Sequence, residues 1–271
     1  MKLTVLVDNN TYIDQYYLGE PAVSYFLELD GHRILFDTGY SNAFLKNAKK
    51  MQIDLRSVTE IVLSHGHNDH SRGLKFMANQ YDLSSTRLIA HPHALKKKRV
   101  NNESIGAPYT EIQIAKLLHY TPVREPCFIS EHCVFLGEIP QTTAFEKRQK
   151  IGTTLIESHD VDDCLFDDTA LACMTPKGLV IVTGCSHSGI CNIIEYAKKI
   201  WNTETIAAVI GGFHLFELDD RTSKTIAYLK TANIGTLYPC HCVSFPVKAE
   251  MSRHMNVKEV GVGLHFEYEG K

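Results

Sequence analysis

The stretch Leu63-Ser64-His65-Gly66-His67-Asn68-Asp69-His70 places three imidazoles and a carboxylate close together in the chain. Burying these polar groups without strong partners would cost ~1–3 kcal/mol each. A metal ion would satisfy all of them, because neutral imidazole and carboxylate oxygen are ligands that suit Zn, Fe or Mn. The preceding residues 60–63 are apolar enough for a short buried strand. The sequence therefore predicts a metal-binding loop at the end of a strand, where a rigid scaffold often displays functional residues.

The spacing within this loop indicates two ions. His65 and His67 are two positions apart, so on a tight loop both can converge on one ion, while Asp69 and His70 turn toward a second. This arrangement resembles the H-x-H-x-D-H motif of the metallo-β-lactamase superfamily, and the upstream Asp37 fits the same resemblance. We expect Asp37 to accept a hydrogen bond from a ligand histidine and so fix the orientation of its ring, rather than to act catalytically.

Composition limits the class of protein. The chain has 271 residues, a formal net charge of −3 and eight cysteines. This charge does not favour nucleic acid as a partner, and no apolar run approaches the ~20 residues that span a bilayer. The N-terminal run 1–8 is too short for a signal peptide and lacks a small-residue cleavage site. We therefore expect a cytoplasmic protein with a small-molecule substrate, no membrane partner and no disulfide framework.

The order of the elements predicts an α/β fold. Two β-rich runs flank Asp30-Gly31, a strong hairpin signal, and a second hairpin is predicted around residues 176–178. Helices are predicted over 42–51, with Ser41 as N-cap, and over 71–80, 190–201 and 223–232. A meander followed by alternating strands and helices fits two mixed sheets with helices outside. The resemblance implies the same αββα sandwich. We expect one domain over residues 1–271, with a lid or insertion at about 92–150.

Three further histidines each follow an apolar strand. They are His187 in residues 182–189, His214 in residues 209–214 and His241 in residues 237–242. Three such histidines downstream of a metal loop are better explained together than singly. In the superfamily the last metal-binding histidine comes from a loop near the C-terminal end, and His241 matches that position. We rank His241 first, His187 second and His214 third as further ligands.

One position departs from the superfamily pattern. A bridging aspartate usually follows a strand that ends in Thr-Gly, but here Cys185 follows Thr183-Gly184. Cys185 could bind as a thiolate, or His187 could take over. The usual third histidine has no clean match, although His119, His159 and the carboxylate of Asp168 are candidates.

The motifs around Cys185, His214 and His241, together with residues 167–171, resemble a narrower group within the superfamily. This group contains the archaeal dihydropterin ribofuranosylaminobenzene phosphate synthases and their bacterial relatives. The resemblance extends over nearly the whole chain at scattered motifs. It does not fix the substrate, because one fold supports many functions.

We expect a metal-dependent hydrolase with two divalent ions, zinc by default and iron or manganese as alternatives. His65, His67 and His187 would hold the ion whose bound hydroxide attacks. Asp69, His70 and His241 would hold the ion that orients an ester, lactone or phosphodiester, and Asp69 could also accept a proton.

Two other functions stay open. One is a synthase that joins a pterin pyrophosphate to an aminobenzene ribose phosphate, which would need an anion site on the lid. The other is a non-catalytic metal-binding or sensing protein. The run Lys96-Lys97-Lys98-Arg99 could bind a substrate phosphate, although a solvated helix face is the simpler interpretation.

Overall fold

Residues 1–268, which the computed structural model describes, are organised around two mixed β-sheets. The first sheet has seven strands, in the spatial order β17 (His265–Glu267), β1 (Lys2–Val7), β2 (Ser24–Leu29), β3 (His32–Phe36), β4 (Glu60–Val62), β5 (Arg87–Ala90) and β8 (His119–Pro122). Its pairs are antiparallel from β17 to β3 and parallel from β3 to β8. The carboxyl ends of β3 and β4 therefore lie at one edge, which brings Asp37 beside the loop that begins at Leu63.

The second sheet has six strands, in the order β16 (Ile234–Pro239), β15 (Ile206–Gly211), β14 (Gly178–Thr183), β13 (Ala170–Thr175), β10 (Cys133–Phe135) and β9 (Cys127–Ser130). Strands β14, β15 and β16 are parallel, so their carboxyl ends also share one edge. Cys185, His214 and His241 come shortly after these three ends. Parallel pairing thus brings together three segments that are far apart in sequence.

Strand alternation divides the apolar residues among three layers. Leu3, Val62, Val180 and Ile210 belong to one buried cluster that receives side chains from both sheets. Neighbouring side chains on the same strands point outward and contribute to the helix-facing clusters. Helices α1 (Ala43–Lys50), α2 (Asn68–Ser71) and α3 (Leu74–Gln80) follow strands of the first sheet, and α5 (Ile190–Trp201), α6 (Asp220–Thr231) and α7 (Phe245–Ser252) follow strands of the second. The predicted sandwich of two mixed sheets with outer helices is confirmed.

A third, smaller sheet was not predicted. It is antiparallel and contains β12 (His159–Asp162), β11 (Thr153–Ile156), β6 (Lys98–Val100) and β7 (Glu103–Ser104). Segment 92–150 contributes β6 and β7 to this sheet, helix α4 (Glu111–Ile114), strand β8 to the first sheet and strands β9 and β10 to the second. The lid function of this segment and the single-domain organisation stay predictions, and residues 269–271 of that domain lie outside the described range.

Local signals placed several elements correctly. Asp30 and Gly31 have φ values of 52° and 81°, the left-handed backbone that a two-residue hairpin turn requires. The first helix begins at Ala43, so its N-cap is Asn42 and the prediction of Ser41 was wrong by one residue, although Ser41 Oγ accepts a hydrogen bond from the Ala43 amide over 3.1 Å. A 3₁₀ turn covers Leu55–Ser57.

Within residues 1–268, none of the helices has the length and apolar character required to cross a bilayer.

Candidate metal centre

The loop after β4, which carries the candidate ligands, has a tightly enclosed backbone. A Cβ atom at Gly66 would lie 2.1 Å from Ala94 O, so only glycine fits between the two histidines. Helix α2 starts at Asn68 and carries Asp69 and His70 in its single turn. Extended backbone followed at once by a helical turn therefore separates two pairs of ligands: His65 with His67, and Asp69 with His70.

The first ligand group contains His65, His67 and His187. All three rings are buried, and the Nε2 atom of each has no hydrogen-bond partner among the described residues. The ring centroids lie 4.7 Å apart for His65 and His67, 4.9 Å for His65 and His187, and 5.2 Å for His67 and His187. Leaving three such atoms unpaired would cost about 1–3 kcal/mol each. Neighbouring imidazoles with unpartnered nitrogens instead fit a bound cation, although His67 lies outside the cluster of His65, Cys185 and His187 whose ligand atoms are within 4.8 Å of one another.

The lowered pKa values of these histidines favour the neutral rings that a metal ion requires. Burial lowers the pKa of His67 to about 4 and lowers the pKa of His65 and His187 well below the ordinary value. The rings are therefore neutral near pH 7, and each keeps a lone pair for coordination. Ser64 Oγ lies 3.0 Å from His65 Nδ1, which leaves His65 Nε2 as the free nitrogen.

The second ligand group contains Asp69, His70, Cys185 and His241, whose ligand atoms all lie within 4.8 Å of one another. Asp69 Oδ2 lies 3.5 Å from His70 Nε2 and 3.4 Å from His241 Nε2. Burial alone would raise the pKa of Asp69, but the charge of His70 and hydrogen bonds from His241 and His70 hold it well below the usual range. The carboxylate is thus ionised and available as a ligand.

Cys185 is shared by two clusters of potential ligand atoms. Its Sγ lies 3.2 Å from His70 Nε2, and it also belongs to a cluster with His65 and His187 whose ligand atoms lie within 4.8 Å of one another. The thiol stands where the superfamily pattern would place its bridging aspartate. Burial raises the pKa of Cys185 well above the ordinary value, so the thiol keeps its proton, which a metal ion would have to displace in order to bind there.

Hydrogen bonds to the Nδ1 atoms of His70 and His241 fix the orientation of these two rings. Asp37 is fully buried; its Oδ2 lies 2.7 Å from His70 Nδ1, and its two oxygens accept from the amide and hydroxyl of Ser64, each over 2.7 Å. His241 Nδ1 lies 3.0 Å from Asn9 Oδ1, and its amide donates to Asp8 Oδ1 over 3.0 Å. In both rings Nε2 is the atom that faces the second group.

The remaining candidates lie outside the two groups. The His214 ring lies 4.5 Å from the His187 ring, and burial lowers its pKa to about 4. Asp168 is buried and accepts from the Ser188 amide over 2.8 Å, while its Oδ1 has no partner. His119 on β8 and His159 on β12 are exposed and belong to neither group.

Three parts of the site had no clear sequence signal. Cys242 Sγ lies 3.3 Å from the His214 amide nitrogen, and Asn9 bonds His241. Lys98 is fully buried on strand β6, where it pairs with carboxylates, so the expectation of a solvated helix face for residues 96–99 was wrong at this residue. The carboxylates that pair with Lys98 lie too far along the chain for local sequence to indicate them.

A cavity of about 750 Å³ opens over both groups. Asp69, His67 and His241 form its floor, Tyr40 and Phe216 contribute aromatic walls, and the small sheet contributes further lining. From that sheet and its flanks come Val100, Asn101, Glu103, Ile105 and Ile151. A small molecule in this cavity would contact the ligand atoms directly.

Two mixed sheets with outer helices define an αββα sandwich, and two groups of potential metal-ligand atoms lie at one edge of it. The family model described as the metallo-beta-lactamase superfamily matches residues 18–189, and the chain belongs to this superfamily. The resemblance inferred from the H-x-H-x-D-H loop is therefore confirmed.

The similarity to relatives extends over nearly the whole chain. A 7,8-dihydropterin-6-methyl-4-(beta-D-ribofuranosyl)-aminobenzene-5'-phosphate synthase of Methanocaldococcus jannaschii is 31% identical, with 98% of this chain and 94% of that protein covered. An uncharacterized protein of the same organism is 32% identical, with 94% and 95% covered. The crystal structure of Tm1679, described as a metal-dependent hydrolase of the beta-lactamase superfamily, matches with a TM-score of 0.84 and 28% identity over 100% of both chains.

Proposed function

We propose that this protein is a metal-dependent hydrolase with a binuclear centre. His65, His67 and His187 would hold one divalent ion, and Asp69, His70 and His241 the other, with Cys185 between them. Three neighbouring buried imidazoles, each with an unpartnered Nε2 atom, carry this proposal. The printed description of Tm1679 as a metal-dependent hydrolase supports it.

The bound ions would supply a water molecule with a pKa near ~7 and positive charge for a developing oxyanion. The chain would contribute the proton transfer. Asp69 lines the cavity and its side chain is 29% exposed, so it can accept a proton from the attacking water, whose own pKa a bound ion would lower. The bond to the leaving oxygen breaks, and that oxygen then takes up the proton. Neutral His214 in the cavity wall can donate a hydrogen bond to the substrate.

The cavity supports an ester, lactone or phosphodiester as the reacting group. Among residues 1–268, those that line it include the carboxylates Asp69 and Glu103 but no lysine or arginine. A substrate with one anionic or polarised group could bind it to the ions and place an apolar body between Tyr40 and Phe216. A substrate with several phosphates would meet carboxylates without basic side chains to balance them.

The synthase activity is the second candidate, because the printed name of a 31% identical relative supports it. It would need a site for a second phosphate away from the ions. Lys98 is the buried cation of the small sheet, but two carboxylates already neutralise its charge. It is therefore unavailable for a second phosphate, which weighs against the synthase. The third candidate is a non-catalytic metal-binding or sensing protein.

Zinc is the metal that we propose, because a buried thiol among imidazoles favours a softer ion than manganese or magnesium. We further propose a cytoplasmic location, since all eight cysteines are free, as is usual in a reducing compartment. The substrate would be a small molecule. Nucleic acid and membrane partners are not proposed, given the formal net charge of −3.

The test uses protein purified without a histidine tag, stripped of metal and reloaded with zinc. Turnover would be followed on bis(p-nitrophenyl) phosphate, aryl esters, acyl lactones and a pterin pyrophosphate with an aminobenzene ribose phosphate. The proposal predicts zinc-dependent hydrolysis of at least one of the first three, lost in His187→Ala. Joining of the last pair would instead establish the synthase, and metal binding without turnover of any of these compounds would favour the sensing protein.

A further inference from the structure

A buried lysine connects the small sheet to the metal loop. Lys98 on strand β6 has no exposed surface, and its Nζ donates to Asp163 Oδ2 over 2.7 Å and to Asp167 Oδ1 over 3.0 Å. Burial alone would lower the pKa of Lys98, but the two carboxylates raise it, so the ammonium stays charged. Burying such a cation is costly, and paired carboxylates often do no more than offset that cost. The network therefore suggests a role other than stability.

The second oxygen of Asp167 reaches the metal loop. Asp167 Oδ2 accepts a hydrogen bond from the Gly66 amide over 2.8 Å. Gly66 lies between His65 and His67, and on its other side the Ala94 carbonyl leaves no room for a Cβ atom. The backbone between two proposed ligands is thus confined between Ala94 and Asp167. Loss of Asp167 would remove the hydrogen bond that holds the peptide between the two histidines.

The small sheet has a second attachment to the same loop. The Asn68 amide donates to Ile105 O over 2.8 Å, and Ile105 follows strand β7 directly. Val100 and Glu103 from this sheet line the cavity above the ligands. The sheet that covers the cavity and the loop that holds the histidines are therefore joined by hydrogen bonds from Asn68 and by the ion network of Lys98.

We propose that Asp167 and Lys98 are positioning residues that fix the loop between His65 and His67 and couple it to the sheet over the cavity. Asp167 holds the Gly66 amide directly, and Lys98 holds Asp167 in place. Neither residue lies in the two ligand groups. This inference rests on the metal site of the proposed function but not on its hydrolytic activity.

Asp163 offers a matched control. Each aspartate binds Lys98 with one oxygen and one backbone amide with the other: Gly66 for Asp167, and Leu165 over 3.0 Å for Asp163. Asp163→Ala and Asp167→Ala therefore remove comparable interactions, but only Asp167→Ala frees the metal loop. Any effect that comes from disturbing Lys98 or the fold alone would appear in both variants.

The readouts are Co²⁺ affinity and the visible absorption of the Co²⁺-loaded protein, together with thermal unfolding of the metal-free form. We expect Asp167→Ala to weaken binding at the first ion about 10-fold, the low end of the effects seen for groups that orient ligands, and to change the Co²⁺ spectrum. Asp163→Ala should leave both unchanged while lowering the unfolding temperature similarly. Equal affinities and spectra for the two variants would overturn the proposal.

Asp167→Asn is a second variant for the case in which Asp167→Ala fails to fold. Its side-chain amide keeps one oxygen that can accept the hydrogen bond from Gly66. We expect this variant to restore most of the spectrum, because the contact with Gly66 is kept, whereas a spectrum as altered as that of Asp167→Ala would contradict the positioning role. Both readouts are independent of turnover, so they stand even if the hydrolase assays fail. Absence of Co²⁺ binding in the wild type would refute the metal site itself.

Discussion

Asp37 determines which nitrogen of His70 carries the proton, and the variant Asp37→Asn tests this directly. In the structure Asp37 Oδ2 lies 2.7 Å from His70 Nδ1, while Nε2 faces Asp69 and Cys185. A carboxylate can only accept a hydrogen bond, so the proton must lie on Nδ1 when His70 is neutral. His70 Nε2 then keeps its lone pair for the second ion.

Asparagine reverses this constraint while preserving size. Its oxygen can still accept from the Ser64 amide, which Asp37 Oδ1 bonds over 2.7 Å. Its NH₂ group then faces His70 Nδ1 as a donor, so the imidazole proton moves to Nε2 and opposes coordination. Alanine would be a poorer test, because three unpartnered donors at about 1–3 kcal/mol each could exceed the marginal stability of the fold.

We expect Asp37→Asn to weaken binding of the second ion by about 10- to 100-fold, or about 1.4–2.7 kcal/mol, with a smaller effect on the first ion, which Asp37 reaches only through Ser64 and His65. Zinc titration of the metal-free protein against a competing chelator separates the two binding steps. Glu146→Gln is the control, since it also neutralises a buried carboxylate but one that bonds the Asn192 amide on helix α5. Equal weakening of both ions, or an unchanged second ion, would refute the tautomer argument.

Three further predictions concern the same site. Burial alone would lower the pKa of His70, but two neighbouring carboxylates raise it, whereas the histidines of the first group have lowered pKa values. Acid should therefore protonate His70 before the other three, so dialysis at pH 5 should remove the second ion before the first. Elemental analysis of the dialysed protein would follow the loss. Burial raises the pKa of Asp168 from 3.8 to about 6, so metal-free wild type should lose stability as pH rises through this window. Asp168→Asn should lack this loss, and its free energy of unfolding relative to wild type should grow by about 3 kcal/mol between pH 3 and pH 8 in urea titrations. Cys185→Asp should raise the affinity for Mn²⁺ relative to Zn²⁺, because a carboxylate replaces a thiolate; an unchanged ratio in competition titrations would exclude Cys185 as a ligand.

Local sequence was sufficient where one short stretch carries the whole signal. The Asp30-Gly31 turn specifies its hairpin through backbone conformation, and the histidine loop follows a buried strand whose apolar run is plain. The positions of His187 and His241 also followed from sequence, because histidines after the ends of parallel strands meet at one sheet edge. Their sharing between two ions stays a prediction.

Other features depend on contacts between residues far apart in the chain, which no local sequence pattern indicates. Strand β12 is exposed along its whole length, so it lacks the alternation that marks a half-buried strand. Lys98 lies in a basic run typical of a solvated surface, and its carboxylate partners are 65 and 69 residues away in the chain. The small sheet and its buried ion network could therefore be found only from the three-dimensional structure.

The central claim is that two ions share this site, and metal content tests it most directly. Untagged wild type and His241→Ala would be loaded with zinc, passed through a desalting column and analysed by elemental analysis against protein concentration. The account predicts two equivalents for wild type and one for His241→Ala. A single equivalent in both proteins would contradict it.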